Sequence, residues 1–400
     1  MKSDEFSFRP PRGVLMLCGG LAVLGGAALA VGLLQSPERA WLNLLLVSYY
    51  LLSLGLGALV FVAIQYVTGA GWSVGLRRVP EVMVAILPVA AVGLGVVFLA
   101  RPSLYPWAGA AAAEAGAANP LRQAWFSWPF FLGRSAFYLA CWMVLGFALV
   151  ATSRRQDRDG SPGHSRTNIR LSAAFLVVFG VTFWLANQDW LMSLDGEWIS
   201  TIFAVYQFGG LFLSVLAAIT LLAACLRWLG PFRDVFVGEH VHDLGKLLFG
   251  FGNLWGYLWF CQSMLIWYVN NPEEAVWYTR RLHGGWGSLF HLNVVLNWVI
   301  PLVVLLPRAA RQRVGVLAAV SVVLLAGRWV DLYLQVLPRS GEGPWVGAAW
   351  EIGLAVGAAG LFALVFFAAL GSAAVIPVRD PYLVESLPAL RRQPSVSSNA

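Results

Sequence analysis

The sequence predicts an all-α integral membrane protein with ten transmembrane helices. Of its 400 residues, 59% are hydrophobic and only 12% are charged, whereas soluble domains carry about 25% charged residues. The apolar residues fall into ten stretches, each long enough to cross a bilayer as a helix of about 20 residues. The basic residues lie in loops rather than in one patch. This pattern excludes a water-soluble protein and argues against a nucleic-acid partner.

The predicted helices form one polytopic domain, because no loop between them is large enough for a soluble domain. They are expected at residues 13–34, 41–68, 82–100, 129–151, 170–188, 198–227, 244–269, 285–306, 313–337 and 346–376. In the first, Ala28-Leu29-Ala30 mimics a signal-peptide cleavage site. The apolar run continues to Leu34, so a retained helix is predicted. The loop at 152–169 is expected to be polar and mobile, and the segment 377–400 to be a polar tail.

The distribution of positive charge predicts the orientation of these helices. With the N-terminus inside, 19 of the 27 Lys and Arg residues lie at the inner side and six at the outer side. Cytoplasmic loops carry the excess of Lys and Arg in membrane proteins. Both termini are therefore expected on the cytoplasmic side.

A short loop between the fifth and sixth predicted helices carries the first candidate residues. Three acids lie there with no Lys or Arg close by in the sequence: Asp189, Asp195 and Glu197. Trp190 and Trp198 flank them, as aromatic residues do at a membrane boundary. Hydroxyl and amide groups continue into the next helix from Ser200 to Tyr206 and Gln207. This series predicts that the loop handles protons or a polar ligand, and a well-anchored turn is the alternative.

Charged or titratable residues inside apolar helices form a second group of candidates, since such residues are costly in lipid and often functional. They are Arg134, His291, Arg328, Asp331 and Glu351. Arg328 and Asp331 are three residues apart and therefore share one helix face. A structural ion pair remains the alternative for these two, and a hydrogen-bonded packing residue remains the alternative for His291.

The seventh predicted helix carries a polar stripe. His242, Lys246, Asn253 and Tyr257 follow one another at helical spacing, so they share one face. Such a stripe can support a chain of waters that carries protons, and ordinary hydrogen bonding between helices is the alternative.

No metal or haem site is expected in this chain. His240, His242 and Asp243 lack a further ligand of matching type. The four cysteines include no C-x-x-C pair, so the ligand sets for an iron–sulfur cluster or for c-type haem attachment are missing. We interpret the cysteines as packing residues.

Four long segments resemble a known family. They are GAGWSVGLRRVPE at 69–81, DWLMSLDGEWISTIFAVY at 189–206, EHVHDLGKLLFGFGNLWGYLWFCQSMLIWYVNNPEEAVWY at 239–278 and RWVDLYLQVLP at 328–338. These segments resemble the NrfD/polysulfide-reductase-type membrane subunits, and within that family the smaller of two such subunits in bacterial alternative complex III. The chain departs from the family at Gly196-Glu197, where Pro-His is frequent.

The resemblance implies a fold and a set of partners. The fold would contain two four-helix bundles, predicted helices two to five and six to nine, with the first and last helices peripheral. The complex would be a quinol:electron-acceptor oxidoreductase in the bacterial inner membrane. Its other parts would be a sister NrfD-like subunit, an iron–sulfur subunit, a multihaem cytochrome c subunit and small membrane subunits. Quinol, haem c and iron–sulfur clusters would therefore be present in the complex but not on this chain.

Within such a complex we expect this chain to relay protons and support assembly, without being a catalyst alone. The candidate proton-path residues are Asp189, Asp195, Glu197, Tyr206, His242, Asp243, Lys246, Tyr257, Arg328 and Asp331. One alternative is a subunit that itself binds and oxidises quinol, with Arg134, Asp189 and His291 at the quinone. Another is a secondary transporter, for which we find no clear inverted repeat or broken helix.

Overall fold

The computed structural model describes residues 8–108, 120–196, 198–372 and 374–387, and it is built from α-helices. In chain order these are α1 Arg12–Gln35, α2 Pro37–Val67, α3 Arg78–Met83, α4 Leu87–Ala100, α5 Pro120–Trp125, α6 Trp128–Asp159, α7 Gly163–Trp190, α8 Phe203–Leu229, α9 Gly238–Val269, α10 Pro272–Leu282, α11 Trp286–Val294, α12 Ile300–Leu305, α13 Val314–Val336, α14 Ala348–Leu370 and α15 Leu383–Ser386. A 3₁₀ turn, Val84–Ile86, joins α3 to α4, and a π turn, Val295–Val299, joins α11 to α12.

Nine helical spans within the described ranges are long and apolar enough to cross a membrane. They are α1, α2, α3–α4, α6, α7, α8, α11–α12, α13 and α14. The fold is therefore that of an all-α, multi-pass membrane protein, as the composition predicts. At the position of the seventh predicted helix lies α9, which is 32 residues long. Its Trp, Tyr, Gly and Asn residues lower its mean hydropathy, so a count of ten spans remains a prediction.

The segment 152–169, predicted to be a mobile loop, is instead mostly helical. Helix α6 continues to Asp159 and α7 begins at Gly163. Gly160 closes α6 with a φ of 71°, a left-handed conformation that glycine adopts without strain. Polarity alone suggested a loop here, but polar helix ends that project beyond an apolar span look the same in sequence.

The first part of the predicted polar tail is packed against the protein. The Ser386 hydroxyl donates to the Trp72 carbonyl at 2.8 Å and accepts from the Gly75 N–H at 2.9 Å. Asp380 forms a buried ion pair with Arg77. Ser386 of this segment therefore forms hydrogen bonds with backbone groups of the short 3₁₀ segment Gly71–Leu76. The remainder of the predicted tail, 388–400, lies outside the described residues.

The helices pack in two groups around α2. On one side α2 contacts α4 and α7, and α6 packs along α7. On the other side α8 packs against α9 and α13, and α11 and α12 contact α13 and α9. Helix α2 also contacts α8 and α13, so it joins the two groups. Its long apolar sequence is explained by this position, since most of its residues are buried.

Helices α1 and α14 form a pair of their own, with the most extensive contact of any two helices described. Small residues allow this, because a Cβ on Gly25 would lie 2.7 Å from the Gly357 Cα. Close backbone approach through small residues is a common way for helices to associate in lipid.

A buried ion pair attaches this helix pair to the rest of the protein. Arg39 on α2 donates from Nε to Glu351 Oε1 at 2.7 Å and from Nη2 to Glu351 Oε2 at 3.1 Å. Asn43 and Tyr333 donate to the same carboxylate, each at 2.7 Å. Arg39 is one of the six basic residues that the charge distribution assigns to the outer side, and it lies buried in the first turns of α2 rather than in a loop. Glu351 is thus a structural anchor between α2, α13 and α14.

Candidate functional site

A buried carboxylate on α13 is the centre of the candidate site. Asp331 is only 2% exposed. Its Oδ1 accepts hydrogen bonds from the Tyr206 hydroxyl of α8 and from Asn293 Nδ2 of α11 at 3.1 Å. Its Oδ2 accepts from the guanidinium of Arg328, one turn earlier on α13. The shared helix face predicted for Arg328 and Asp331 is thus occupied by a direct ion pair.

The Arg328 guanidinium extends this contact into a chain of amides. It donates to Gln207 Oε1 at 2.6 Å, and the Gln207 amide donates to Gln335 Oε1. Gly210 lies directly against the guanidinium, where an added Cβ would come 2.7 Å from Arg328 Cζ. The missing side chain at Gly210 therefore lets α8 approach the charge on α13.

The π turn Val295–Val299 completes the site from the third side. Within it, Asn297 donates to the backbone and side-chain oxygens of Asn293 at 3.0 and 2.7 Å. Asn297 also packs on Gly327 of α13. A π turn inserts one extra residue into a helix and is frequent at functional sites. Asn293, Asn297 and Gln335 were not among the predicted site residues, although amides within two apolar spans were a usable signal.

A second buried ion pair holds the end of α7. Arg134 on α6 donates to both carboxylate oxygens of Asp189, at 2.7 and 2.8 Å. Trp125 Nε1 donates to Asp189 at 3.2 Å, and the Tyr138 hydroxyl at 3.4 Å. Asp189 was expected in a loop with no basic residue nearby, but it lies in the last turn of α7 beside an arginine from another helix. The carboxylate is therefore well compensated as an anion.

Asp195 is also paired, with two arginines that lie far from it in the sequence. Its oxygens accept from Arg280 and Arg281, each at 3.0 Å. The two tryptophans expected at the bilayer boundary are buried within the protein. Trp190 donates to Ser135 at 2.9 Å, and Trp198 stacks on Trp277 with ring centres 4.4 Å apart. Glu197, the third predicted acid of this loop, lies outside the described residues.

Two spaces lie near these acids. The larger, of about 260 Å³, opens at the surface beside Asp195, and we call it the outer vestibule. It is lined by Pro106, Asp195, Gly196, Trp198, Val276, Trp277, Arg280 and Arg339. The smaller, of about 20 Å³, lies beside Asp331, and we call it the Asp331 cavity. Trp277 lines both spaces.

The polar stripe of α9 lies on the outside of the described protein. Tyr257 is 63% exposed. Lys246 is exposed and pairs with Asp243 at 2.6 Å, while His242 is half-buried. Asn253 donates to the Phe249 carbonyl of its own helix at 2.7 Å. The helical spacing was predicted correctly, but the structure does not bring these residues into a route inside this chain.

His291 and Arg134 do not form one site. The His291 ring lies exposed on α11, with Nδ1 2.6 Å from the Gly287 carbonyl oxygen. Among the contacts of the described residues, none joins His291 to Arg134 or Asp189. The three candidates for quinone binding are therefore separated into a buried ion pair and an outward-facing histidine.

At the opposite end of α6 lies a buried charge cluster that was not among the predicted sites. Arg78 pairs with Glu81 and with Asp157. The Ser153 hydroxyl donates to Glu81 at 2.6 Å. Glu81 and Arg78 belong to the segment 69–81, which was singled out only for its family resemblance.

Nothing within the described ranges groups three or more His, Cys, Asp or Glu residues as a metal ion requires. The four cysteines are free and lie on different helices. His240 contacts Ser386 at 2.9 Å.

Comparison with models of known protein families finds no match for this chain. No curated protein matches it either.

Proposed function

We propose that this chain is a membrane subunit of a quinol:electron-acceptor oxidoreductase of the alternative complex III type, similar to the ActF subunit, and that it relays protons. The proposal rests on the four family-like segments together with one observation, the buried network around Asp331. Two of those segments, 189–206 and 328–338, supply its central residues Tyr206, Arg328 and Asp331.

The chemistry of the Asp331 network suits proton transfer. A carboxylate in a lipid-spanning helix is costly and is often part of a proton relay. Arg328 compensates its charge, and Tyr206 supplies a hydroxyl that can pass a proton to or from it. Gln207, Gln335 and Asn293 hold these groups in place through further hydrogen bonds. The network thus places two groups that can exchange a proton, Asp331 and Tyr206, among amides that hold them in position.

Electron transfer is assigned to the partners. We propose a sister NrfD-like subunit, an iron–sulfur subunit, a multihaem cytochrome c subunit and small membrane subunits, all at the bacterial inner membrane. In this arrangement quinol is oxidised elsewhere in the complex, and the present chain couples that reaction to proton movement and holds the assembly together.

Isolation of the chain from its own membrane under mild detergent tests this proposal. We expect it to bring down haem c, iron–sulfur clusters and quinol oxidation activity in constant ratio. A homogeneous chain with no redox partner, together with uptake of a solute by vesicles containing it, would instead establish the transporter alternative.

A quinol-oxidising role for this chain itself is less well supported by the geometry. Asp189 already accepts hydrogen bonds from Arg134, Trp125 and Tyr138, so both of its oxygens are occupied by donors of this chain rather than turned to a quinol. His291 faces outward on α11. If Asp189→Asn abolished quinol oxidation in a fully assembled complex, this alternative would replace the proton relay.

The proposal includes ten spans with both termini on the cytoplasmic side. The excess of basic residues at the inner side supports this orientation, and it requires α9 to cross the membrane. A reporter protein fused after Ala400 is expected to show that the C-terminus lies in the cytoplasm. A reporter located on the opposite side of the membrane would contradict the combination of ten spans and the assigned orientation.

A further inference from the structure

The Asp331 cavity is polar on one side and closed by aromatic rings on the other. Its volume of about 20 Å³ is sufficient for one ordered water molecule. The polar groups around it belong to Tyr206, Asp331, Asn293, Gln335, Tyr278 and Arg281. An internal water needs two to four hydrogen-bonding partners, and this wall provides them.

Gln335 gives an independent reason for a water at this position. Its side chain is 7% exposed and its Oε1 accepts from Gln207. Its Nε2 has no hydrogen-bond partner among the described residues, although it is buried. A buried donor without a partner is destabilising, so a hydrogen-bond acceptor is expected beside it. A water in the adjoining cavity would accept from this amide and donate to Asp331.

Two residues connect this cavity with the outer vestibule: Trp277 lines both spaces, and Arg281 lines the cavity while contacting Asp195 of the vestibule. The Arg281 guanidinium lies 3.6 Å over the Trp277 ring. It donates to the carbonyls of Leu334 and Gln335 at 2.7 and 3.0 Å. In the other direction it donates to Asp195, which lines the vestibule, at 3.0 Å. Its third nitrogen donates to the Trp277 carbonyl at 2.9 Å, so all three guanidinium nitrogens are held in place.

We propose that the Asp331 cavity binds an ordered water between Asp331 and Gln335, and that Arg281 and Trp277 form a barrier that separates this water from the outer vestibule. The water and the barrier follow from the geometry alone. Their role as the outer end of a proton route rests on the proposed function.

Charge explains why a buried arginine suits such a barrier. Burial lowers the pKa of Arg281 to about 10, against the opposing effect of Asp195, so the guanidinium remains protonated at neutral pH. A fixed positive charge at a narrow point opposes the entry of hydronium. The barrier would thus prevent protons in the vestibule from equilibrating freely with Asp331.

Thiol labelling tests the barrier without depending on proton movement. Gln335→Cys is introduced into the assembled complex in membranes, and a small water-soluble thiosulfonate is added from the vestibule side. The chain without this change is labelled in parallel, so that the signal from its native cysteines can be subtracted. We expect slow labelling of Gln335→Cys alone. Addition of Trp277→Ala should make it about tenfold faster, since labelling follows the time that the thiol is open to solvent. Trp345→Ala, which removes an exposed tryptophan of an outer loop, should leave the rate unchanged.

Two results would overturn the barrier: rapid labelling of Gln335→Cys with Trp277 intact, or equal rates with Trp277→Ala and Trp345→Ala. Trp277→Phe serves as a milder second variant if Trp277→Ala prevents assembly.

The water is tested separately in a density map of the assembled complex that resolves ordered solvent. Density at hydrogen-bond distance from Asp331 and Gln335 is expected, and a dry cavity in such a map would contradict the assignment.

The role of the barrier in proton movement has its own readout. In vesicles containing the complex, Arg281→Gln is expected to increase passive proton leak, and Asp331→Asn in the same chain should reverse the increase. If labelling shows the barrier but Arg281→Gln leaves the leak unchanged, the barrier stands and the proposed proton role fails.

Discussion

Replacing Asp331 with Asn is expected to stop proton movement by the assembled complex and to weaken its assembly. Asn has nearly the same shape, but it cannot accept a proton, and it leaves the buried Arg328 without its anion. Breaking a buried ion pair by removing one partner costs about 3–5 kcal/mol. We therefore expect a lower melting temperature of the complex, and proton release per quinol oxidised should fall even in the fraction that assembles.

A double variant separates the two effects. Arg328→Gln combined with Asp331→Asn removes both charges, so most of the assembly is expected to recover while the proton defect remains. The matched control is Asp243→Asn, because Asp243 and Lys246 also form a pair three residues apart but at an exposed position. An exposed pair contributes only about 0–1 kcal/mol, so this change should affect neither property. Normal proton release in the double variant would show that Asp331 is only structural.

Replacing Gly25 with Leu is expected to separate α1 from α14. A side chain at Gly25 would meet the backbone of Gly357, with only 2.7 Å between the new Cβ and the Gly357 Cα. Overpacking typically costs about 1–3 kcal/mol, and the cost rises when the obstacle is backbone that cannot rotate away. We expect a marked loss of thermal stability of the chain in detergent, with α1 becoming accessible to protease.

The neighbouring glycine provides the control for this change. Gly26 lies on the same helix, one residue further on, and a Cβ there would meet nothing within 4 Å. Gly26→Leu adds the same side chain to the same helix without touching α14, so the stability should be unchanged. Equal losses in both variants would mean that helix propensity or insertion, rather than contact with α14, decides the outcome.

Local information in the sequence was sufficient to predict the positions of the spans and the shared helix face of Arg328 and Asp331. Apolar length located the helices to within a few residues at most ends, and the spacing of Arg328 and Asp331 placed them on one face. The partners of the acids could not be read in this way. Asp189 pairs with an arginine 55 positions earlier in the chain, and such pairs are determined by which helices become neighbours.

Helix α9 illustrates a different limit of the sequence. Periodicity identified the face that carries Lys246 and Tyr257, but it did not indicate whether that face is covered. In a soluble protein the polar face turns to water, whereas in a bilayer both faces can be apolar and either can be buried. The direction of each face was determined by packing with α8 and α12, which only the three-dimensional structure reveals.

The pairing of Arg39 with Glu351 has a consequence for how the protein is made. These residues lie 312 positions apart, so α2 leaves the ribosome and enters the bilayer long before α14 exists. During that interval the Arg39 guanidinium has no carboxylate, and in lipid it must reach toward the headgroups through its flexible stem. Synthesis of α14 then supplies the anion and, through Gly357, the docking surface for α1. Helices α1 and α2 therefore reach their final environment only after α14 has been inserted.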